Sequence, residues 1–193
     1  MPTYKRRQRM AEVASARQAG LVIVLEDIHG PHNVEAALRS CDAFGVYQVH
    51  LVFVEEPVFN PRRIGKSSSS SANKWIEFTT HHSTSACIDL LRSNGHTLVA
   101  TSPNRSAIPL PDAPLNDHRM AIWFGNEHRG LSKIALSPAD ISLTIPLTGM
   151  VRSINVSVAV AITLYEASRQ RQGPAYTLDQ AAINSLAQDY LRR

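Results

Sequence analysis

The sequence predicts an α/β fold, a parallel sheet covered by helices on both faces. Short, almost wholly apolar runs recur along most of the 193-residue chain, and such runs suit strands buried on both sides. Between them lie segments with helical spacing of apolar residues, and repeated strand–helix units imply a parallel sheet.

The elements follow in order. Residues 1–19 form a basic segment of helical character carrying Lys5, Arg6, Arg7, Arg9 and Arg17, with Met10, Val13 and Ala14 able to face inward. Leu21–Leu25 is the first strand. A helix over about 33–44 places Val34, Leu38 and Cys41 on one stripe. Val49–Val54 is the second strand and Trp75–Thr80 a further one. A helix over 83–94 ends at Gly95. Leu98–Ala100, Met120–Phe124 and Ile141–Ile145 complete the strands. Residues 103–118, rich in proline and polar groups, read as a loop, and 178–192 as an amphipathic helix. Ligand sites in such sheets lie beyond the carboxyl ends of the strands. That edge collects residues 26–33, 101–106, 125–131 and 146–153.

Composition sets outer bounds. A chain of this size buries about 70% of its unfolded surface and needs no metal or disulfide staple. Cys41 and Cys87 lack paired spacing, so a reduced, cytoplasmic setting is the simplest inference. No apolar run reaches the roughly 20 residues of a membrane span, so no membrane partner is expected. The net charge of +4 permits a polyanionic partner without requiring one. The N-terminal cluster and a second group, Arg62, Arg63, Lys66 and Lys74 around Ser67–Ser71, could neutralise phosphates. Each could equally be ordinary solvated surface, and the N-terminus could be an organelle transit peptide.

Several motifs fail on inspection. "NPRRIGKS" at 60–67 approaches a phosphate loop, but asparagine stands where the first glycine belongs. "EDIHGPHN" offers only Gly30 where a dinucleotide fingerprint needs three glycines. His29 and His32, and His81 and His82, are close in sequence. Without paired cysteines or a helical HExxH they predict no metal site. Glu35, Arg39 and Asp42 share a helix stripe. That stripe is either a surface salt-bridge ladder, worth about 0.3–0.5 kcal/mol per pair, or an arginine held by carboxylates beside a site. "FGNEHRGLS" at 124–132 is either a turn with Ser132 capping the next helix or a cluster of Asn126, Glu127 and Arg129 built for chemistry.

The run "GMVRSINVSVAVAITLYEASR" at 149–169 leads a polar loop into a helix whose only polar residues are Ser157, Thr163 and Glu166 until its last turn. A helix apolar all round is buried on more than one side. The sheet covers one side, and a second subunit is the economical cover for the other, most simply in a twofold homodimer. A purely intramolecular cover is the alternative.

Three stretches together resemble a known family. "PHNVEAALRSCDAFGV", "FGNEHRGLS" and "IPLTGMVRSINVSVAVAITLYEASRQR" are similar, in order, to the motifs of the SpoU group of SPOUT RNA methyltransferases, in its TrmH-type tRNA (guanosine-2'-O-)-methyltransferase branch. The likeness runs with gaps from about residue 15 to 175. It implies a deep C-terminal trefoil knot, a homodimer, and S-adenosyl-L-methionine bound in the knot. It also implies a division into a basic extension (1–19), a methyltransferase domain (20–173) and a C-terminal extension (174–193).

Carried across residue by residue, the resemblance assigns cofactor contacts to Thr101, Gly125, Asn126, Glu127, Ile145, Leu147, Met150, Ser153, Ile154 and Asn155. Catalytic roles fall to Asn33, Arg39, Glu127, Ser153 and Asn155. Lys5, Arg6, Arg7, Arg9, Arg17, Arg62, Arg63, Lys66 and Arg129 become candidates for contact with tRNA, or alternatively with rRNA. An arginine is a poor general base because its guanidinium is effectively always charged, so Arg39 is expected to orient the nucleotide and steady developing oxyanion charge. Departures touch RNA choice more than chemistry. Arg152 stands where close relatives usually carry glutamine, the 62–74 loop is serine-rich where relatives are more glycine-rich, and the tail beyond about 175 has no evident counterpart. A relative that binds RNA without catalysis, and a nicotinamide oxidoreductase, are the readings from other classes.

Overall fold

The structure, a computed structural model, describes residues 2–62, 72–104 and 106–193. The elements are α1 (Tyr4–Ser15), β1 (Leu21–Glu26), α2 (Pro31–Ala43), β2 (Gln48–Val52), β3 (Glu77–His81), α3 (Thr84–Ser93), β4 (Thr97–Thr101) and β5 (Ile108–Pro109). They continue with β6 (Met120–Phe124), α4 (Lys133–Leu136), β7 (Ile141–Thr144), α5 (Val156–Gln170) and α6 (Gln180–Arg192). Seven strands form one sheet in the order β3-β2-β1-β6-β4-β7-β5, and every pairing is parallel.

The unbroken apolar runs are divided by strand alternation, because successive side chains point to opposite faces. Leu21, Ile23 and Leu25 of β1 pack with Leu38 and Cys41 of α2 and with Val160 and Leu164 of α5. Val22 and Val24 pack on the other face with Cys87 and Leu91 of α3 and Ala135 of α4. Helices therefore cover both faces, as the sequence predicts.

Three differences from the expected elements stand out. The second strand stops at Val52 rather than Val54, because the Asp27 carboxylate accepts the amides of Val54 (2.7 Å), Glu55 (3.1 Å) and Glu56 (3.2 Å) and turns the chain away. The third strand begins at Glu77, after a 3-10 turn over Ala72–Lys74. A short strand, β5, lies within the predicted loop 103–118. Two exposed residues, one a proline, give no local signal, and only the docked edge of β7 creates it.

The chain ends pack together. Ala14, Met10 and Val13 of α1 join Leu186 and Tyr190 of α6, with Trp75 and Tyr47, in a satellite core. Arg17 is part of this core. It is 1% exposed, pairs with Asp42 at 2.6 Å and donates to the Tyr190 hydroxyl at 2.9 Å. The expectation of an RNA-facing Arg17 is therefore corrected, since a buried cation held by a carboxylate cannot reach a phosphate. Asp42 is drawn to Arg17, so the Glu35–Arg39–Asp42 ladder does not form. Lys5, Arg6, Arg7 and Arg9 remain exposed on α1, while Arg63 and Lys66 lie outside the described residues.

Candidate active site

Five loops meet beyond the carboxyl ends of the strands, and their side chains fasten them to one another. β1 ends in Glu26 and Asp27. Glu26 is 2% exposed, and its carboxylate accepts the Thr84 hydroxyl (2.6 Å), the Ser132 hydroxyl (2.8 Å) and the Ser132 amide (2.8 Å). It thereby anchors the starts of α3 and α4 to β1. Asp27 adopts a left-handed backbone, φ 48°, which costs a non-glycine residue free energy and persists only where surroundings impose it. Here its carboxylate holds the loop after β2, and its carbonyl accepts the Asn126 side-chain amide at 2.7 Å.

Asn126 is 5% exposed and its side chain is fully used. Its amide nitrogen bonds Asp27, and its oxygen accepts the amides of His128 (2.9 Å) and Arg129 (3.1 Å). Its carbonyl accepts the Gly130 amide at 2.8 Å, which leaves its backbone amide for a ligand. Gly125 is required by close approach. A Cβ there would lie 2.2 Å from both the Gly130 carbonyl carbon and the Leu131 nitrogen. Ser132 caps α4 through the Ala135 amide at 3.1 Å. The turn and the polar cluster, posed as alternatives by the sequence, are one structure.

At the centre, Asn33 on the first turn of α2 donates from Nδ2 to Glu127 Oε1 at 2.7 Å. Glu127 Oε2 accepts the His29 amide at 2.9 Å. Asn155, the N-cap of α5, donates from Nδ2 to Asn33 Oδ1 at 2.9 Å, and its own Oδ1 accepts the Ser157 amide at 2.8 Å. One hydrogen-bonded chain, Asn155–Asn33–Glu127, thus joins one residue from each of the three sequence motifs. A carboxylate at its end makes the Asn33 bond charge-assisted, and such bonds are about twice as strong as neutral ones.

The other candidates fall in three groups. Thr101 is half-buried at the end of β4 and spends its hydroxyl on the Trp123 carbonyl at 2.8 Å. Ile145 packs against the core below the loop and Ile154 is half-buried, while Leu147 (39%), Met150 (100%) and Ser153 are exposed. Arg39 is exposed on α2 and makes no hydrogen bond or ion pair among the described residues, so it is not part of the central chain. Arg129 leans over Glu55 (2.5 Å) and Glu56 (3.2 Å), which neutralise much of its charge. Arg62 lies over the Phe78 ring at 5.3 Å.

Sequence reasoning placed residues 26–33 at this edge but gave Glu26 and Asp27 no role, and it missed Glu55 and Glu56. The available signal was the pair of acidic residues placed directly after an apolar run, where a strand's carboxyl end meets the site. No helix among the described residues is long and apolar enough to cross a membrane.

Residues 20–165 match the model of the SpoU rRNA Methylase family. The tRNA (guanosine(18)-2'-O)-methyltransferase of Thermus thermophilus is 36% identical over 197 residues, covering 99% of this chain and 98% of that protein. The enzyme of that name from Escherichia coli K12 is 36% identical over 91% of this chain and 74% of its own length. The 23S rRNA (guanosine-2'-O-)-methyltransferase of Coxiella burnetii is 33% identical over 80% of this chain and 60% of its own. The crystal structure of the A. aeolicus TrmH/SpoU tRNA modifying enzyme superposes with a TM-score of 0.86 at 26% identity, covering 97% of this chain and 95% of that one. These alignments correct the expectation that the tail beyond about 175 has no counterpart. The ordered motifs, the parallel sheet and the site that ties the motifs together agree with the match over 20–165, and the chain belongs to the SpoU methylase family.

Proposed function

We propose that this protein is an S-adenosyl-L-methionine-dependent methyltransferase acting on the ribose 2'-hydroxyl of a guanosine in tRNA, by likeness the one at position 18 of the D-loop. The observation that carries this reading is the 36% identity to a tRNA (guanosine(18)-2'-O)-methyltransferase along 99% of the chain, both terminal helices included. A ribosomal RNA substrate is the second reading. It is favoured by the rRNA methyltransferase relative, whose alignment spans only 80% of this chain.

The residues of the third motif suit the proposed donor. From Leu147 to Ser153 no backbone amide or carbonyl is hydrogen-bonded within the described chain, which leaves them available to an adenine edge. Ile145, Leu147, Met150 and Ile154 supply aliphatic surface that would exclude water from its faces. S-adenosyl-L-methionine supplies an electrophilic methyl group on a sulfonium. Asn33, Glu127 and Asn155 hold the loops around it in one arrangement, and a fixed arrangement lowers the entropic cost of reaction. Arg39, a planar cation with no competing partner among the described residues, orients the nucleotide and stabilises charge developing on the ribose oxygen. Ser153 stands exposed beside the loop, able to hydrogen-bond substrate. Lys5, Arg6, Arg7 and Arg9 on α1, with Arg62, Arg63, Lys66 and Arg129, supply phosphate contacts.

A homodimer completes the reading. α5 buries Val156, Val160, Thr163, Leu164 and Ala167, while Val158 (45%), Ile162 (40%) and Tyr165 (63%) form an exposed stripe at helical spacing. The donor loop beside it is also uncovered, and a second copy would shield both. The knot is supported by the chain path. β7 lies inside the sheet between β4 and β5, and the end of α5 is held under residues 113–118. Gln170 there bonds Leu115 (2.8 Å) and Ala113 (3.0 Å), and the buried Arg171 donates to the Ala19 carbonyl (2.6 Å) and to that of Asp117. Residues 1–19 and 174–193 act together as an RNA-binding extension to the methyltransferase domain at 20–173, in a cytoplasmic setting.

The test supplies labelled S-adenosyl-L-methionine with unmodified tRNA and rRNA transcripts. A methylated ribose oxygen blocks alkaline cleavage of the adjoining linkage, so the target maps directly. Protection at the D-loop guanosine is expected. Labelling confined to rRNA, or to a base, would overturn the assignment.

A further inference from the structure

On the sheet face opposite α2 and α5, three ligand-type side chains converge from three separate elements. His50 projects from β2, His81 ends β3, and Cys87 lies on the first turns of α3. His50 Nδ1 is 2.9 Å from His81 Nε2 and 3.7 Å from Cys87 Sγ, and all three ligand atoms fall within 4.8 Å of one another. His50 and Cys87 are buried and His81 is half-buried at the sheet edge. None of the three contributes to the loop cluster described above. Hydrogen bonding among them satisfies their buried polar atoms, and the same convergence aims three donor atoms at one point.

We propose that His50, His81 and Cys87 form a binding site for a zinc-class divalent cation, a structural pin that fastens α3 to the edge of the sheet. The donor set, one thiolate sulfur and two imidazole nitrogens, is the type that selects zinc over magnesium or calcium. Bonds of about 2.0–2.1 Å to nitrogen and 2.3 Å to sulfur in a tetrahedron separate two nitrogens by about 3.3 Å, and nitrogen from sulfur by about 3.6 Å. The His50 nitrogen lies 3.7 Å from the Cys87 sulfur, close to that value, the His81 nitrogen lies within 4.8 Å of it, and the two nitrogens need to part by a few tenths of an ångström. A half-buried His81 has room for that rotation. Its exposed side leaves the fourth position to a solvent water. The sequence expectation of no metal rested on the lack of paired cysteines near the histidines. Here the fold brings the cysteine from α3.

Metal binding would displace the Cys87 thiol proton to solvent, so uptake falls as pH falls. The experiment strips the full-length protein with a chelator and titrates it with Co(II), then with Zn(II). The expected result is one Co(II) per chain, with a near-ultraviolet thiolate-to-cobalt band that zinc abolishes. Cys87→Ser should remove the band, and His81→Asn, at a half-buried and tolerant position, should weaken binding at least tenfold. Uptake without a thiolate band would overturn the site. So would a band that survives Cys87→Ser, because it would belong to Cys41, or equal affinity in His81→Asn.

Discussion

The Nε of Arg17 donates to the phenolic oxygen of Tyr190 at 2.9 Å, joining residues 173 positions apart, and the Tyr190 hydroxyl passes the bond on to the Trp75 carbonyl at 2.9 Å. Arg17 also pairs with Asp42, so the N-terminal helix, the C-terminal helix and α2 share one buried cation. Burial raises the Tyr190 phenol above its ordinary range, only partly offset by Arg17, which keeps it a hydrogen-bond donor at neutral pH.

Removing that cation strands two partners. Arg17→Ala is expected to cost about 1.5–3 kcal/mol, the range for hydrogen bonds to a charged group, because the Asp42 left behind is 31% exposed; the loss is read as a lower denaturant midpoint. The salt dependence of tRNA binding by the folded variant should match that of the parent, since Arg17 does not contact phosphate. Lys5→Ala or Arg7→Ala should do the reverse, leaving stability unchanged and reducing the salt slope.

Asn33→Ala and Asn155→Ala each break the chain that joins the three motifs. Loss of a charge-assisted bond is worth about 1.5–3 kcal/mol, so kcat for Asn33→Ala should fall roughly 10- to 100-fold in methyl-transfer assays. Because the two residues share one network, the double variant should lose less than the sum of the single losses. Strict additivity would show that the network does not act as a unit.

Arg39→Lys preserves charge but removes the planar fork. Turnover should fall by at least about tenfold, or 1.4 kcal/mol in the barrier, while donor binding measured by calorimetry stays unchanged. Near-normal turnover would assign Arg39 a purely electrostatic role.

Ile162→Asp places a charge on the exposed stripe of α5. In a dimer that seals this stripe, the variant should sediment as a monomer and lose donor affinity, while its circular dichroism stays native. An unchanged sedimentation coefficient would move the subunit seam elsewhere.

Asp140 accepts Arg92 at 2.6 Å and the Leu98 amide at 2.7 Å, and the Arg92 guanidinium holds its carboxyl below the usual carboxylate range. A carboxyl with a lowered native pKa contributes fully above its unfolded value, about 4, and the contribution is lost as pH falls through the native value. Both side chains are partly exposed, so solvent screening limits the effect of Asp140→Asn to about 1 kcal/mol. Thermal unfolding of the two proteins should differ at pH 7 and converge in acid.

Much of this molecule was legible in the chain. Apolar runs such as Met120–Phe124 marked strands because a strand buried on both faces needs apolar residues at every position. The helix ending in Gly95 and the capping role of Ser132 followed from local backbone chemistry, and the three motifs carried the family. Other features had no local signature. Arg17 looked like its exposed neighbours Arg6 and Arg7, and only the docking of α6 buried it. Glu26 and Asp27 became struts because loops distant in sequence present their amides there. Cys87 met His50 and His81 only when α3 packed on the sheet. Periodicity and backbone preference act over a few residues, so the sequence by itself determined the main helices and strands and their order, while β5 exists only because it docks on β7. Which charges are buried, which carboxylates are shared and which side chains converge depend on contacts between distant segments, and the tertiary structure alone decided those.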